Sequence, residues 1–194
     1  MRSPSASIGC ILRILSESGA EPIAGRFRRG VMAQRLVEIA GAGFAGLVAA
    51  AALAECGYRV RVHERTPFLR AEGFALTIHP NGVKVLKRLG VFEEATRGAM
   101  RIARLETRNA RDEVTLEITP ADTLFRVSRQ QLIEALAKEA ERRGVEILTD
   151  SQVVGAEAAG VLALADGRRL RADLVIGADG VHSAVRDSLG LPYR

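Results

Sequence analysis

The run Leu36-Val37-Glu38-Ile39-Ala40-Gly41-Ala42-Gly43-Phe44-Ala45-Gly46-Leu47 sets three glycines in the spacing G-x-G-x-x-G behind five residues of strand character. Leu36–Ala40 reads as a short strand. From Ala45 to about Glu55 the residues are strong helix formers, and Gly57 supplies a stop. Tyr58–His63 then alternates Val60 and Val62 with Arg59 and Arg61, the period of a second strand. Strand, tight turn, helix and strand in about 30 residues make one βαβ unit with parallel strands.

Each glycine has a physical reason to be there. Gly41 permits the tight strand-to-helix turn, Gly43 lets a ligand's pyrophosphate approach bare backbone, and Gly46 lets the helix pack closely on the sheet. Free amides at the helix start, together with its positive end, favour phosphate. Phe44 and Ala45 lie in the same loop. Glu64 follows the second strand, where a carboxylate accepts hydrogen bonds from both ribose hydroxyls of a dinucleotide. It also argues against a 2′-phosphate there, although the neighbouring Arg65 weakens that point. The bland alternative is a Gly/Ala-rich turn in an α/β core, with Glu64 a solvated charge. Glu38 is the oddity: a central strand is expected to be apolar on both faces, so this residue sits at an exposed end or has a partner elsewhere.

Working outward, Pro80 and Asn81 open a short helix with Val85, Leu86 and Leu89 on one face, stopped by Gly90. Ile102–Arg108 and Glu113–Ile118 read as two strands joined near Asn109–Asp112. A helix runs from about Arg129 to Arg143, with Ser128 and Gln131 placed for a reciprocal capping box. Leu132, Leu136 and Ala140 line one face, Ile133 and Ala137 beside them. Arg142 and Arg143 suit the helix's negative end, and Gly144 stops it. Val145–Leu148 is a further strand. Gln152–Glu157, Val161–Ala165 and Arg168–Arg171 form an antiparallel meander turning at Asp166-Gly167. Leu174–Ile176 reads as a buried strand ending in Gly177-Ala178-Asp179-Gly180, and a short helix covers about Ser183 to Leu189.

With 47% hydrophobic and 26% charged residues, the 194-residue chain has globular usage and excludes a disordered class. The net charge of +5 is uneven. Residues 1–32 contribute +3 of it and the remainder only +2, which with few aromatics argues against nucleic acid. Cys10 and Cys56 have no neighbouring Cys or His, so neither a disulfide framework nor a metal site is expected, and a reducing, cytoplasmic setting fits. The uncharged stretch Ile39–Ala54 is shorter than the roughly 20 residues of a membrane span. Residues 1–32, rich in Ser, Gly and Arg, are expected to be a poorly ordered N-terminal extension. Residues 33–194 then form the nucleotide-binding domain.

The glycine loop alone does not choose between nicotinamide and flavin dinucleotides. Further segments do: Val62-His63-Glu64-Arg65, then Gly73 to Gly82 running into Leu89-Gly90, Val127-Ser128-Arg129-Gln130-Gln131-Leu132, and Leu174 to Arg186. Taken with the opening loop, they give a chain that resembles the FAD-dependent aromatic-ring monooxygenases of the para-hydroxybenzoate hydroxylase type over about Leu36 to Leu191. The resemblance implies a Rossmann-like α/β FAD-binding domain with a parallel sheet and the start of a substrate-domain sheet near residues 100–120. It also implies FAD as cofactor, NADH or NADPH as co-substrate, and transfer of one oxygen atom from O2 to a small aromatic molecule. Asp179 and Gly180 match the family's second fingerprint, which serves FAD, and Arg129 matches an arginine that contacts the flavin cofactor. Asp179 can equally cap the following helix, and Arg129 can be an exposed first-turn residue. No catalytic nucleophile, acid–base pair or metal is expected, because the cofactor supplies the chemistry. The three histidines read as packing or surface residues.

Family members continue well beyond Arg194, with most of the substrate-domain sheet, a Gly-Asp motif for the flavin and a C-terminal helical region. The chain is therefore expected to be truncated, with FAD-binding potential and little hydroxylase activity alone. A flavin-dependent reductase on the same scaffold and an inactive nucleotide-binding fragment remain alternatives at this point.

Overall fold

The computed structural model describes residues 35–70, 73–118 and 124–190. The expected extension over residues 1–32 lies outside them. Strand β1 (Leu36–Ala40) leads through the glycine turn into α1 (Phe44–Glu55), and β2 (Arg59–His63) returns parallel to β1. Strands β3 (Ala75–Ile78) and β4 (Met100–Ile102) are separated by α2 (Pro80–Leu89) and α3 (Phe92–Ala95). A hairpin of β5 (Leu105–Arg108) and β6 (Val114–Ile118) follows, then β7 (Leu124–Ser128) and α4 (Arg129–Arg142). The chain continues through β8 (Glu146–Leu148), β9 (Val153–Glu157), β10 (Val161–Leu164), β11 (Arg169–Arg171) and β12 (Leu174–Gly177) to α5 (Ala184–Ser188).

The central sheet is all parallel, in the order β12-β1-β2-β8. Side chains alternate across it. Val37, Ile39, Val60 and Val62 join a core built with α1 and α4, while Ala40 joins a second core with Ala156, Leu162, Leu164 and Val185 of the meander β11-β10-β9 and α5. The layers are thus helices, parallel sheet and antiparallel sheet. The buried residues of α1 are small apart from Leu47 (Gly46, Ala50, Ala51), which lets α1 and α4 pack together.

Several expectations are corrected. β12 is not buried but an edge strand, half-exposed, with Leu174 at 41%. Val85 is exposed on α2, whose buried face is Leu86 and Leu89. The stretch read as one strand from Ile102 to Arg108 is two, and Met100–Ile102 pairs with β7 rather than joining the hairpin. Strands β3 and β7 and helix α3 were not read from the sequence. At the start of α4 only half of the capping box forms. The Ser128 hydroxyl accepts from the Gln131 amide at 3.3 Å, but the Gln131 side chain donates instead to the Glu94 and Arg97 carbonyls at the end of α3.

Arg143 does more than complement a helix end. Its guanidinium donates to Glu139 (2.6 Å), to Glu55 (2.7 Å), and to the carbonyls of Ala51 (3.1 Å) and Leu89 (2.9 Å), so one cation ties α4 to the ends of α1 and α2. Hydrogen bonds from Arg142 and from Arg143 outweigh burial at Glu139 and hold its carboxyl down to about 2. Arg143→Ala is expected to cost about 2 kcal/mol, which at this size lowers Tm by roughly 6 °C. A carboxylate depressed in the folded state stabilises above its unfolded value and loses that contribution as pH falls. Thermal melts of the unsubstituted chain are therefore expected to weaken from about pH 4.5 down towards 2, and Glu139→Gln to flatten that slope.

Candidate functional site

The chain steps from β1 to β2 and β8 on one side and to β12 on the other, so the carboxyl ends of β1 and β12 flank the point where strand order reverses. In open α/β sheets that is where ligands bind. Here the two turns meet. A Cβ placed on Gly41, whose φ is +96°, would lie 2.5 Å from the Ala178 carbonyl oxygen and 3.0 Å from the Asp179 Cα. A Cβ on Gly46 would lie 1.9 Å from the Gly41 carbonyl oxygen. These two glycines are required by backbone lying against backbone.

Gly43 is different. Its φ of −73° and ψ of −177° suit any residue, and a Cβ there would meet nothing within 4 Å. The fold has no use for a glycine at this position, and the space it leaves is open. Gly43 is also the N-cap of the 12-residue helix α1. No side chain caps that end, and no acidic residue lies in its first turn. Unpaired first-turn amides beside a position stripped to backbone make a cradle for an anion. Phe44 is half-buried and Ala45 exposed beside it.

Glu64 stands at the mouth of this turn. Its Oε2 accepts from the Ala42 amide at 3.1 Å, and its Oε1 accepts from the Thr66 amide at 3.0 Å and the Thr66 hydroxyl at 2.9 Å. The carboxylate is only part-buried and keeps lone pairs for further donors. Thr66, which orients it, was not singled out from the sequence; a hydroxyl residue two positions after the acid is the signal that was available. Arg65 is exposed.

Arg129 lies across the turn. Its guanidinium carbon is 5.2 Å from the centre of the Phe44 ring, and its Cδ would be 3.4 Å from a Cβ on Gly73. The segments that begin at Gly73 and Val127 therefore meet at Arg129, which lies against Phe44 of the glycine loop. Among the described residues the Arg129 Nε is buried without a hydrogen-bond partner, an uncommon condition that leaves a cationic donor unspent.

Asp179 takes the capping role. Its Oδ1 accepts from the Ser183 hydroxyl at 2.5 Å and its Oδ2 from the Val185 amide at 3.2 Å, while Ser183 itself caps α5 by accepting from the Arg186 amide at 3.0 Å. Its backbone still abuts Gly41. Gly180 is exposed, with φ of +89°. His79 and His182 are exposed, and the described residues contain no cluster suited to a metal ion.

The family described as FAD binding domain matches residues 35–194. The chain belongs to that family. The probable 2-heptyl-3-hydroxy-4(1H)-quinolone synthase of Rhodococcus erythropolis is 37% identical over 166 residues, covering 84% of this chain and 43% of that protein. The 3-amino-4-hydroxybenzoate 2-monooxygenase of Streptomyces cremeus is 36% identical over 163 residues, covering 79% and 41%. Among solved structures, a tetrameric form of 2-methyl-3-hydroxypyridine-5-carboxylic acid oxygenase superposes with a TM-score of 0.75 at 39% identity, covering 81% of this chain and 42% of that one. The FAD-binding domain thus spans about two-fifths of the length of the relatives it matches.

The glycines divide into two classes that stability measurements separate. Gly46→Ala and Gly41→Ala are each expected to destabilise by about 3 kcal/mol or to prevent folding, whereas Gly43→Ala is expected to leave Tm within a degree or two. A thermal melt of the three variants checks this, and a loss at Gly43→Ala as large as at the other two would show that folding needs that glycine too.

Proposed function

We propose that this chain holds the adenosine and pyrophosphate of FAD, and that within the whole protein it serves an NADH- or NADPH-dependent monooxygenase that hydroxylates a small aromatic ring in the cytoplasm. The observation that carries the reading is the open cradle at Gly43: a glycine that folding does not need, at the uncapped start of a helix, within one hydrogen bond of a part-buried carboxylate.

In this reading the first-turn amides from Gly43 to Gly46 face the pyrophosphate, and the α1 dipole offsets its charge. Glu64, held by Ala42 and Thr66, accepts from the adenosine ribose hydroxyls. Arg129 directs its unspent Nε and its charge towards the cofactor from the far side of Phe44. Asp179 sets the second turn against the first, and Gly180 leaves backbone uncovered there. Arg65, exposed beside Glu64, faces the adenosine edge. A bound flavin would supply the electron transfer from the nicotinamide and the activation of oxygen. Orientation and exclusion of water are the protein's contribution. The sheet β3-β7-β4 and the hairpin β5–β6 are the part of the chain that begins the substrate side.

The names of the relatives support the substrate class, because a quinolone, an aminohydroxybenzoate and a hydroxypyridine carboxylate share a substituted ring. Among the described residues no helix is long and apolar enough to cross a membrane.

Titrating the purified chain with FAD is expected to shift the flavin's visible bands and quench its fluorescence. Gly43→Val is expected to weaken that binding about tenfold or more by overfilling the cradle, at unchanged Tm. Undiminished affinity in that variant would place the pyrophosphate elsewhere. In the full-length protein, oxygen uptake that follows NADH or NADPH consumption and ring hydroxylation one-to-one is the expected activity.

A further inference from the structure

Between the parallel sheet and the meander lies a chain of polar side chains that the turn does not itself touch. Glu38, fully buried in the middle of β1, is paired with Arg61 of β2 and accepts from the His63 Nε2 at 2.8 Å. The His63 Nδ1 lies 2.7 Å from the Ser151 hydroxyl, in the loop between β8 and β9. His63 and Ser151 are only 2% and 5% exposed. An imidazole protonated at Nε2 donates to Glu38 and accepts from Ser151, satisfying both ring nitrogens. The order serine, histidine, acid is also that of an activated nucleophile. With all three groups buried, no substrate reaches the hydroxyl.

Stability alone does not account for the chain, because a buried ionic network is often replaceable by apolar side chains at no loss. What such a network adds is direction, since its groups are satisfied together in only one register. Every member of this one is a step from the nucleotide turn. Glu38 precedes Gly41 by three residues on β1. The His63 carbonyl accepts from the Gly41 amide at 2.8 Å, and the next residue is Glu64. The Ser151 amide donates to the Glu64 carbonyl at 2.8 Å. Three separate segments that fix the turn and its carboxylate are thus joined by side chains beneath them.

We propose that Glu38, His63 and Ser151 form a positioning brace that fixes the Glu64 carboxylate relative to the amides of the Gly41–Gly46 turn, and so sets FAD affinity without touching the cofactor. This rests on the reading of the turn as the FAD site. Ser151→Ala removes the terminal hydroxyl, and Ser151→Thr restores it. Hydrogen exchange in the full chain, without FAD, is expected to speed about tenfold at the Gly41, Ala42 and Glu64 amides in Ser151→Ala. The Leu136 and Ala140 amides in α4 should be unaffected, and Ser151→Thr should restore protection. FAD affinity should fall and recover in parallel. His63→Phe, if it folds, should show the same selective pattern more strongly. Unchanged exchange, a uniform acceleration that includes α4, or selective exchange with unaltered FAD affinity would each overturn the brace. Because the exchange arm needs no cofactor, an unsubstituted chain that bound no FAD would refute the proposed function instead.

Discussion

Backbone lying directly on backbone is the constraint on which the rest depends. The β1 turn touches the β12 turn at Gly41, and helix α1 touches its own approach at Gly46, with no room for a methyl group at either contact. That closeness brings α1 down onto the sheet, where Leu47, Ala50 and Ala51 complete the core against α4. It also leaves the first-turn amides uncovered at the strand ends. A single steric demand therefore shapes both the core and the concave face above it.

The second theme is where polarity is spent. The face of the parallel sheet under the helices is wholly apolar, while the face under the meander carries Glu38 and His63. Burial pushes the Glu38 carboxyl up, but hydrogen bonds from His63 and Arg61, with the charge of Arg61, outweigh it and leave it below its ordinary value. The layer farther from the helices is thus joined by directional bonds, the layer beneath them by packing. The same division recurs at Arg143, where one guanidinium collects carbonyls and carboxylates at the meeting of three helices.

Much of this was legible in the sequence because it is local. The alternation in Arg59–His63, the glycine stops and the Ser128 cap all act within a few residues, and all appear close to where they were read. Gly41, Gly43, Phe44, Gly46 and Glu64 could be nominated because glycines and a carboxylate in that pattern have few other uses, whereas Arg129 was nominated by the family resemblance. What escaped was set by distant pairing. Ala75–Ile78 becomes a strand only through β7, some 50 residues away. Gln131 abandons the capping box because carbonyls at the end of α3 offer better acceptors. Glu38 looked misplaced because its partners, 23 and 25 residues on, lie on another strand. Thr66 and Ser151 gain their roles only when loops close around Glu64 and His63.

The freedom at Gly43 has a consequence for heredity. Cellular surveillance by chaperones and proteases senses unfolded chain, not empty binding sites. A lesion at Gly41 or Gly46 would be cleared as misfolded material. Under the proposed reading of the cradle, one at Gly43 would persist at normal abundance as a well-formed product impaired only in holding FAD, and natural selection there would act on the ligand alone.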